Sequence, residues 1–283
     1  MDLRELALQV VAVVTEAGQY ALGDQLKPHD LDQQTQQAQD RRMQISSEID
    51  ERVMRFCHER IRQIAPFEDW EAVGSARQPG EYYWCIGHID GSINYARNMP
   101  EWTITVSLLH VNNEGEMYPA MGIVHAPALR TTYIAAKGQG AIRIRVNAAG
   151  EEKREKIMPT TTPTLQGSVL CFGMSYFSDE SHRALETVSD IAGMPADIKR
   201  IGPASMDLCR VADGSYDAYF EPTLHSWDFP AVSAAAVVVW EAQGRLSRWD
   251  GSEIVWGENN DIVASNGPIT DALTPYLRAH MGN

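Results

Sequence analysis

The residues of this chain best suited to chemistry on an anion or a cation fall into three short clusters. The stretch Trp84-Cys85-Ile86-Gly87-His88-Ile89-Asp90-Gly91-Ser92-Ile93-Asn94-Tyr95 runs from an apolar strand into Asp-Gly-Ser and then into a segment able to start a helix. Free N–H groups of Gly91 and Ser92 at such a helix start form an anion site, and Gly91 lets the backbone come close to a ligand. Asp90 beside them can hold a divalent cation that bridges to a phosphate oxygen. Taken alone, Asp-Gly-Ser is a common turn. His225-Ser226-Trp227-Asp228 precedes an apolar helical run, where Asp228 is either a cation ligand or a helix cap. Ser47-Glu48-Ile49-Asp50 adds a third carboxylate, whose plain reading is an acid favoured by the helix dipole. His88, two residues before Asp90, suits an acid/base or ligand role at the mouth of a site, against a purely structural role at a strand end.

Helices and strands must bring these clusters together. Leu3, Leu6, Ala7, Val10, Val14, Ala17 and Ala21 lie at helical spacing, and Gly23 is read as the end of that helix. The polar stretch from Asp30 to Asp40 reads as a mobile loop. A second helix starts near Ser46-Ser47, carries Asp50, buries Ile49, Val53, Phe56 and Ile64, and stops at Pro66. Tyr82 to Ile86, Trp102 to Val111, Tyr118 to His125 and Tyr133 to Ala136 read as strands, with Asn112-Asn113-Glu114-Gly115 as a hairpin turn. Polar Asn147 to Lys156, then Pro159 to Pro163, mark a seam between halves 1–157 and 158–283. Beyond it strands and helices alternate: 169–172 strand, 181–192 helix, 198–201 strand, 205–212 helix, 216–220 strand, 229–240 buried helix and 262–264 strand. That order predicts a partly parallel α/β unit.

The chain has 283 residues, 44% of them hydrophobic, enough for a large core. Its net charge of −14 argues against non-specific nucleic-acid binding, which needs Lys and Arg on phosphates. No apolar run is read as approaching the roughly 20 residues that cross a bilayer. Met1-Asp2-Leu3-Arg4-Glu5 lacks the basic start of a signal peptide. Cys57, Cys85, Cys171 and Cys209 are widely spaced and read as buried free thiols, so a cytoplasmic location is expected.

Taken in order, the clusters resemble the inositol monophosphatase family, whose members carry T-x-x-D, then G-E-E, then D-P-I-D-G-T-x-N-F, and late W-D before a helix. Ser47 and Asp50 match the first motif, Asp90-Gly91-Ser92 with Asn94-Tyr95 the third, and Trp227-Asp228 the last. Gly122-Ile123-Val124-His125-Ala126-Pro127 is similar to G-V-V-x-x-P, and Tyr133 to Ala141, ending Lys137-Gly138-Gln139-Gly140-Ala141, to A-x-x-G-x-G-A. Arg200 to Leu208 is similar to R-x-x-G-S-A-A-L-D-L, and Val211 to Glu221 to V-A-x-G-x-x-D-x-Y-x-E. The resemblance spans nearly the whole chain. It implies an α/β (α+β) fold of αβαβα layers, usually dimeric, and magnesium-assisted phosphomonoester hydrolysis in which the ions clamp phosphate and activate water. Carried onto this chain, it implies magnesium at Asp90, Ile89 and Asp228, and phosphate at Gly91 and Ser92. It further implies water orientation by Asp50 and Ser92, and a polyol or sugar at Glu221, Ala204 and Gly202.

The pattern also breaks. Gly87 stands at the first aspartate of D-P-I-D, His88 at its proline and Pro203 at the hydroxyl residue after Gly202. Gly74-Ser75-Ala76 is the nearest match to G-E-E and carries no carboxylate, unless Glu68, Asp69, Glu71 or Glu81 replaces it. Magnesium dehydrates reluctantly and relies on carboxylates, so at most one weakly held ion is expected. Three readings stay open: an active phosphatase with a rearranged site, a pseudo-phosphatase that keeps the pocket, and a re-tooled enzyme centred on His88 and Asp90.

Overall fold

The computed structural model describes residues 1–25 and 48–282, so the loop read at Asp30 to Asp40 and the helix start at Ser46-Ser47 lie outside the described residues. In chain order come α1 (Leu3–Gln25), α2 (Glu48–Ile64), β1 (Glu68–Asp69), α3 (Trp70–Val73), β2 (Tyr82–Ile86), α4 (Ser92–Ala96), β3 (Ile104–Val111), β4 (Met117–Ala126), β5 (Thr131–Ala136), β6 (Ala141–Val146) and β7 (Glu152–Lys156). Then follow β8 (Val169–Phe172), α5 (Ser178–Ile191), β9 (Asp197–Lys199), α6 (Ala204–Ala212), β10 (Ala218–Leu224), α7 (Phe229–Glu241), β11 (Arg245–Ser247), β12 (Asn260–Ser265) and α8 (Thr270–Ala279).

Strands β1 to β7 form one sheet in sequence order, antiparallel except for the parallel β1–β2 pair. The second sheet runs β11-β12-β10-β8-β9, with β8 parallel to both β9 and β10. Side chains alternate across β4 because successive residues of a strand face opposite sides. Met121 and Ile123 join α1 and α2 in one core. Val124 and Ala126 join α6, α7 and the near face of the second sheet in another. On the far face, Ala218 and Phe220 of β10 meet Ala184 and Ile191 of α5 and Leu273 and Leu277 of α8. The result is helix pair, sheet, helix pair, sheet, helix pair, the αβαβα order expected. All four cysteines are buried and unpaired.

Helix α7 presses hardest on the first sheet. A Cβ placed on Gly122 would stand 2.0 Å from the carbonyl oxygen of Ala234, so only glycine lets this helix backbone lie on β4.

Several sequence expectations need correction. Helix α1 runs through Gly23 to Gln25, because glycine lowers helix propensity without forbidding the turn. At 23 residues α1 is also long and apolar enough, by length and composition, to cross a bilayer, contrary to the sequence reading; here Leu6, Val10, Val14 and Ala17 are core residues. Helix α2 buries Ile49, Val53, Cys57 and Ile61, a stripe one residue off the one read from Phe56 and Ile64. Strand β7 occupies the charged stretch read as a seam, and β6, β11 and α8 were not anticipated. Strand β7 is the sheet's last strand, and five charged residues suit an exposed edge.

Candidate functional site

The cavity that gathers the expected residues lies between the halves. About 270 Å³ in volume, it is bounded by Asp90, Gly91 and Ser92 on one side, by Arg200, Gly202 and Ala204 on another, and by Glu221 and Asp228 on a third. Asp50, His88 and Ile89 are not part of its wall.

Strand β2 delivers Asp90, whose backbone makes a paired bridge with Thr103 at 3.0 and 2.9 Å. Its carboxylate, 8% exposed, turns toward the start of α6. There the Ser205 N–H donates to Asp90 Oδ2 at 2.9 Å and the Ser205 hydroxyl at 2.5 Å. Ser205 Oγ is in turn 2.7 Å from Thr103 Oγ1. Burial pushes the Asp90 pKa up, while the Ser205 and Gly91 donors pull it down. Gly91 adopts φ +82, and a Cβ there would lie 2.8 Å from Pro203 Cγ. Glycine is thus required for Pro203 to pack, not only for a ligand to approach. Asn94 fastens the same turn across the halves, donating to Glu101 O at 2.8 Å and Ile201 O at 3.1 Å.

The far wall is acidic as well. Asp228 accepts the His225 N–H at 2.9 Å and so caps the short turn before α7, making no side-chain cap to α7 itself. Burial first, then the nearby Asp90, pushes its pKa up to about 7. Glu221 accepts the Tyr219 hydroxyl at 2.6 Å. Burial and then Asp228 hold its pKa well above the usual carboxylate range. Asp90 raises both Asp228 and Glu221, Asp228 raises Glu221 further, and Arg200 at the rim opposes this at Glu221. Such a site offers protons and lone pairs to hydroxyl groups, while a phosphate dianion is better placed toward Arg200 than among carboxylates. Sequence reasoning did not single out His225, Trp227, Tyr176 or Ser175 as lining residues. The His225 ring stacks on Trp227 at 4.2 Å and 12°, and its Nε2 bonds Glu180 at 2.9 Å.

Asp50 is 2% exposed. It accepts the Ile89 N–H at 2.8 Å and pairs with His88 Nδ1 at 3.0 Å. The hydrogen bond to Asp50 raises the His88 pKa, against desolvation. Both Asp50 oxygens are therefore engaged by the β2–α4 connection rather than offered to the cavity.

Two of the candidate replacement acids are engaged elsewhere. Glu68 pairs with Arg62 at 3.0 Å. Asp69 caps α3 through the Glu71 and Ala72 N–H groups. Neither these two nor Glu71 or Glu81 bounds the cavity. Gly74–Ala76 form a turn of 3₁₀ helix. At Gly87 a Cβ would stand 2.5 Å from Thr105 Oγ1 and 3.2 Å from Pro230 Cβ, so the space an aspartate needs there is filled. Among the described residues no group of three or more His, Cys, Asp or Glu side chains is disposed to hold a metal. The carboxylates that bound the cavity are those of Asp90, Glu221 and Asp228.

The chain matches the inositol monophosphatase family over residues 2–281. It is 31% identical over 215 residues to a protein of Neisseria meningitidis serogroup B named putative Nus factor SuhB, covering 75% of this chain and 74% of that one. It is 30% identical over 240 residues to the fructose-1,6-bisphosphatase/inositol-1-monophosphatase of Thermotoga maritima, covering 82% of each. The inositol monophosphatase structure from Anabaena (Nostoc) superposes with a TM-score of 0.75 at 23% identity, over 99% of this chain and 97% of that one, a likeness of fold.

Proposed function

Because the chain belongs to the inositol monophosphatase family, whose members are in general metal-dependent phosphatases, we propose that it binds a small polyol or sugar, free or phosphorylated, in the Asp90–Glu221–Asp228 cavity, and that magnesium-dependent hydrolysis is lost or much reduced. The ligand's hydroxyls meet Glu221 and Asp228, and any phosphate lies toward Gly91, Ser92 and Arg200. The reading is of a cytoplasmic homodimer. The observation that carries it is the filled position at Gly87, where Thr105 Oγ1 stands in the path of a side chain. One of the family's two Asp-Pro-Ile-Asp carboxylates is missing, and a Cβ at its position would already crowd Thr105 Oγ1. A second observation favours the re-tooled reading over a purely binding one. His88, outside the cavity wall, is 45% exposed at its side chain and oriented by Asp50 through Nδ1, and among the described residues its Nε2 meets no hydrogen-bond partner, which suits it to exchange protons.

The test is hydrolysis of inositol 1-phosphate and fructose 1,6-bisphosphate with magnesium, run beside calorimetric binding of the same compounds without it. Two lost ligands at about 3 kcal/mol each predict turnover about 10⁴-fold below that of an active relative. Binding should persist without metal and weaken in Asp228→Asn. Brisk hydrolysis abolished by Asp90→Asn would return the chain to the active phosphatases.

A further inference from the structure

We propose that Ser205, steadied by Thr103, takes the place of a cation on Asp90 and makes this carboxylate refractory to magnesium. The inference deepens the metal-poor reading above and rests on it. The family motif carried by Arg200 to Leu208 has a second alanine where Ser205 stands, a side chain with no proton to give.

The geometry is specific. Ser205 and Thr103 are both 0% exposed, so neither hydroxyl can turn to water. Ser205 places its N–H and its O–H on the same oxygen, Asp90 Oδ2, at 2.9 and 2.5 Å. A carboxylate oxygen has two lone-pair directions, and both are thereby used. The hydroxyl contact is in the short range of charge-assisted O–H···O⁻ bonds. The Asp90 carboxylate also accepts the Gly91 N–H. With Thr103 Oγ1 2.7 Å from Ser205 Oγ, the hydroxyls form a chain that delivers one proton toward Asp90. A divalent ion arriving at Oδ2 would need the Ser205 hydrogen to leave that line. Its other hydrogen-bonding neighbour among the described residues is Thr103 Oγ1, and the Thr103 hydrogen, now pointing at Ser205, would then have lost its acceptor. A buried donor left unpaired is disfavoured strongly enough to weaken the ion by about tenfold or more.

Ser205 is therefore a positioning residue: it acts on the ligand through Asp90. The cavity it helps to shape holds Asp90 in a fixed, hydrogen-bonded state with no ion, which suits a neutral polyol better than a metal-phosphate pair.

The experiment is magnesium titration of the full chain by calorimetry and by the fluorescence of Trp227, which lines the cavity and is 37% exposed. Ser205→Ala should bind magnesium about tenfold tighter or more than the parent, and adding Asp90→Asn should remove the gain. Ser205→Cys, close in shape but a poorer donor, should fall between and covers the case in which the alanine variant does not fold. Thr103→Val leaves Ser205 on Asp90 and takes away the acceptor to which its hydrogen could turn, so it should bind magnesium no more tightly than the parent. Equal magnesium affinity in the parent, Ser205→Ala and Ser205→Cys overturns the proposal, as does an equal gain in Thr103→Val. Turnover is not the readout. Brisk hydrolysis by the parent would overturn the metal-poor reading, whereas unchanged affinity in the Ser205 variants would overturn only the role given to Ser205.

Discussion

Restoring the missing aspartate at position 87 should destabilise the protein before it restores any chemistry. In Gly87→Ala the new Cβ lies 2.5 Å from Thr105 Oγ1 and 3.2 Å from Pro230 Cβ, against the roughly 3.5–4.0 Å at which carbon atoms pack well. Overpacking of this kind costs about 1–3 kcal/mol. At about 2 kcal/mol, the middle of that range, and about 2–4 °C per kcal/mol for a chain of this order of size, Gly87→Ala should melt about 4–8 °C below the parent. Gly87→Asp should melt lower still, because it adds a carboxyl to a region where Asp90, Asp228 and Glu221 already have raised pKa values. Thr105 Oγ1 is itself buried with no hydrogen-bond partner among the described residues. Thr105→Ala therefore removes an unsatisfied hydroxyl along with a methyl, two effects of opposite sign and about 1 kcal/mol each, and should be near neutral. In combination it should return most of the stability lost at position 87. Supplying the other acid as Ala76→Glu would not complete a cluster, since Ala76 lies on an exposed turn away from the cavity. Differential scanning fluorimetry on the four variants decides the matter. If Gly87→Asp melts with the parent, or if Thr105→Ala fails to recover any of the loss, the steric account of position 87 is wrong.

Gly122→Ala should lower the melting temperature more than any change at Gly87, by at least about 8 °C, because its Cβ would meet the backbone of Ala234 rather than a side chain able to move; melting within about 2 °C of the parent would show that α7 can shift at little cost. His125 should make the fold acid-sensitive. Burial pushes its pKa down to about 4, so the neutral ring favours the folded state above the unfolded value of about 6.5, and on the order of 3 kcal/mol is lost as pH falls from there toward about 4. Asp207 and Asp228, both raised to about 7 by burial, act in the opposite direction, so the readout is the difference between the parent and His125→Gln; a difference that stays constant between about pH 7.5 and about pH 4.5 refutes the assignment.

What the sequence revealed and what it hid divide along physical lines. Helix α1 and the hairpin of β3 and β4 were legible because apolar periodicity and turn chemistry are local. Asp90, Gly91, Ser92, Glu221 and Asp228 were legible because each sits in a short motif, and the cavity unites them. Strand β7 was hidden because five charged residues read as loop, although an edge strand pairs on one side only and this one leaves its side chains largely exposed. Helix α8 was hidden by its brevity and by Pro275 inside it. Gly87 was visible as a lost carboxylate, but the volume claimed by Thr105 is a tertiary fact. The same holds for the Asp50–His88 contact, made across 38 residues, and for Ser205 on Asp90. A hydroxyl where the motif carries alanine was the only trace of the latter.

The contacts under the cavity are also among the most distant in the chain. Asp90 and Ser205 are 115 residues apart, Asn94 and Ile201 107, and Thr103 and Ser205 102. Contacts of such separation need the loop-closure entropy of the intervening chain to be met first, so the cavity exists only when the two halves of the chain have docked. A molecule that fits it finds its binding surface only on chains that have completed folding. Binding then draws the population toward the finished state by RT ln(1 + [L]/Kd), whether or not a bond in the ligand is ever broken. A metabolite held there would thus set how much of this protein is folded and available in the cell, and its concentration would be read out as abundance rather than as flux.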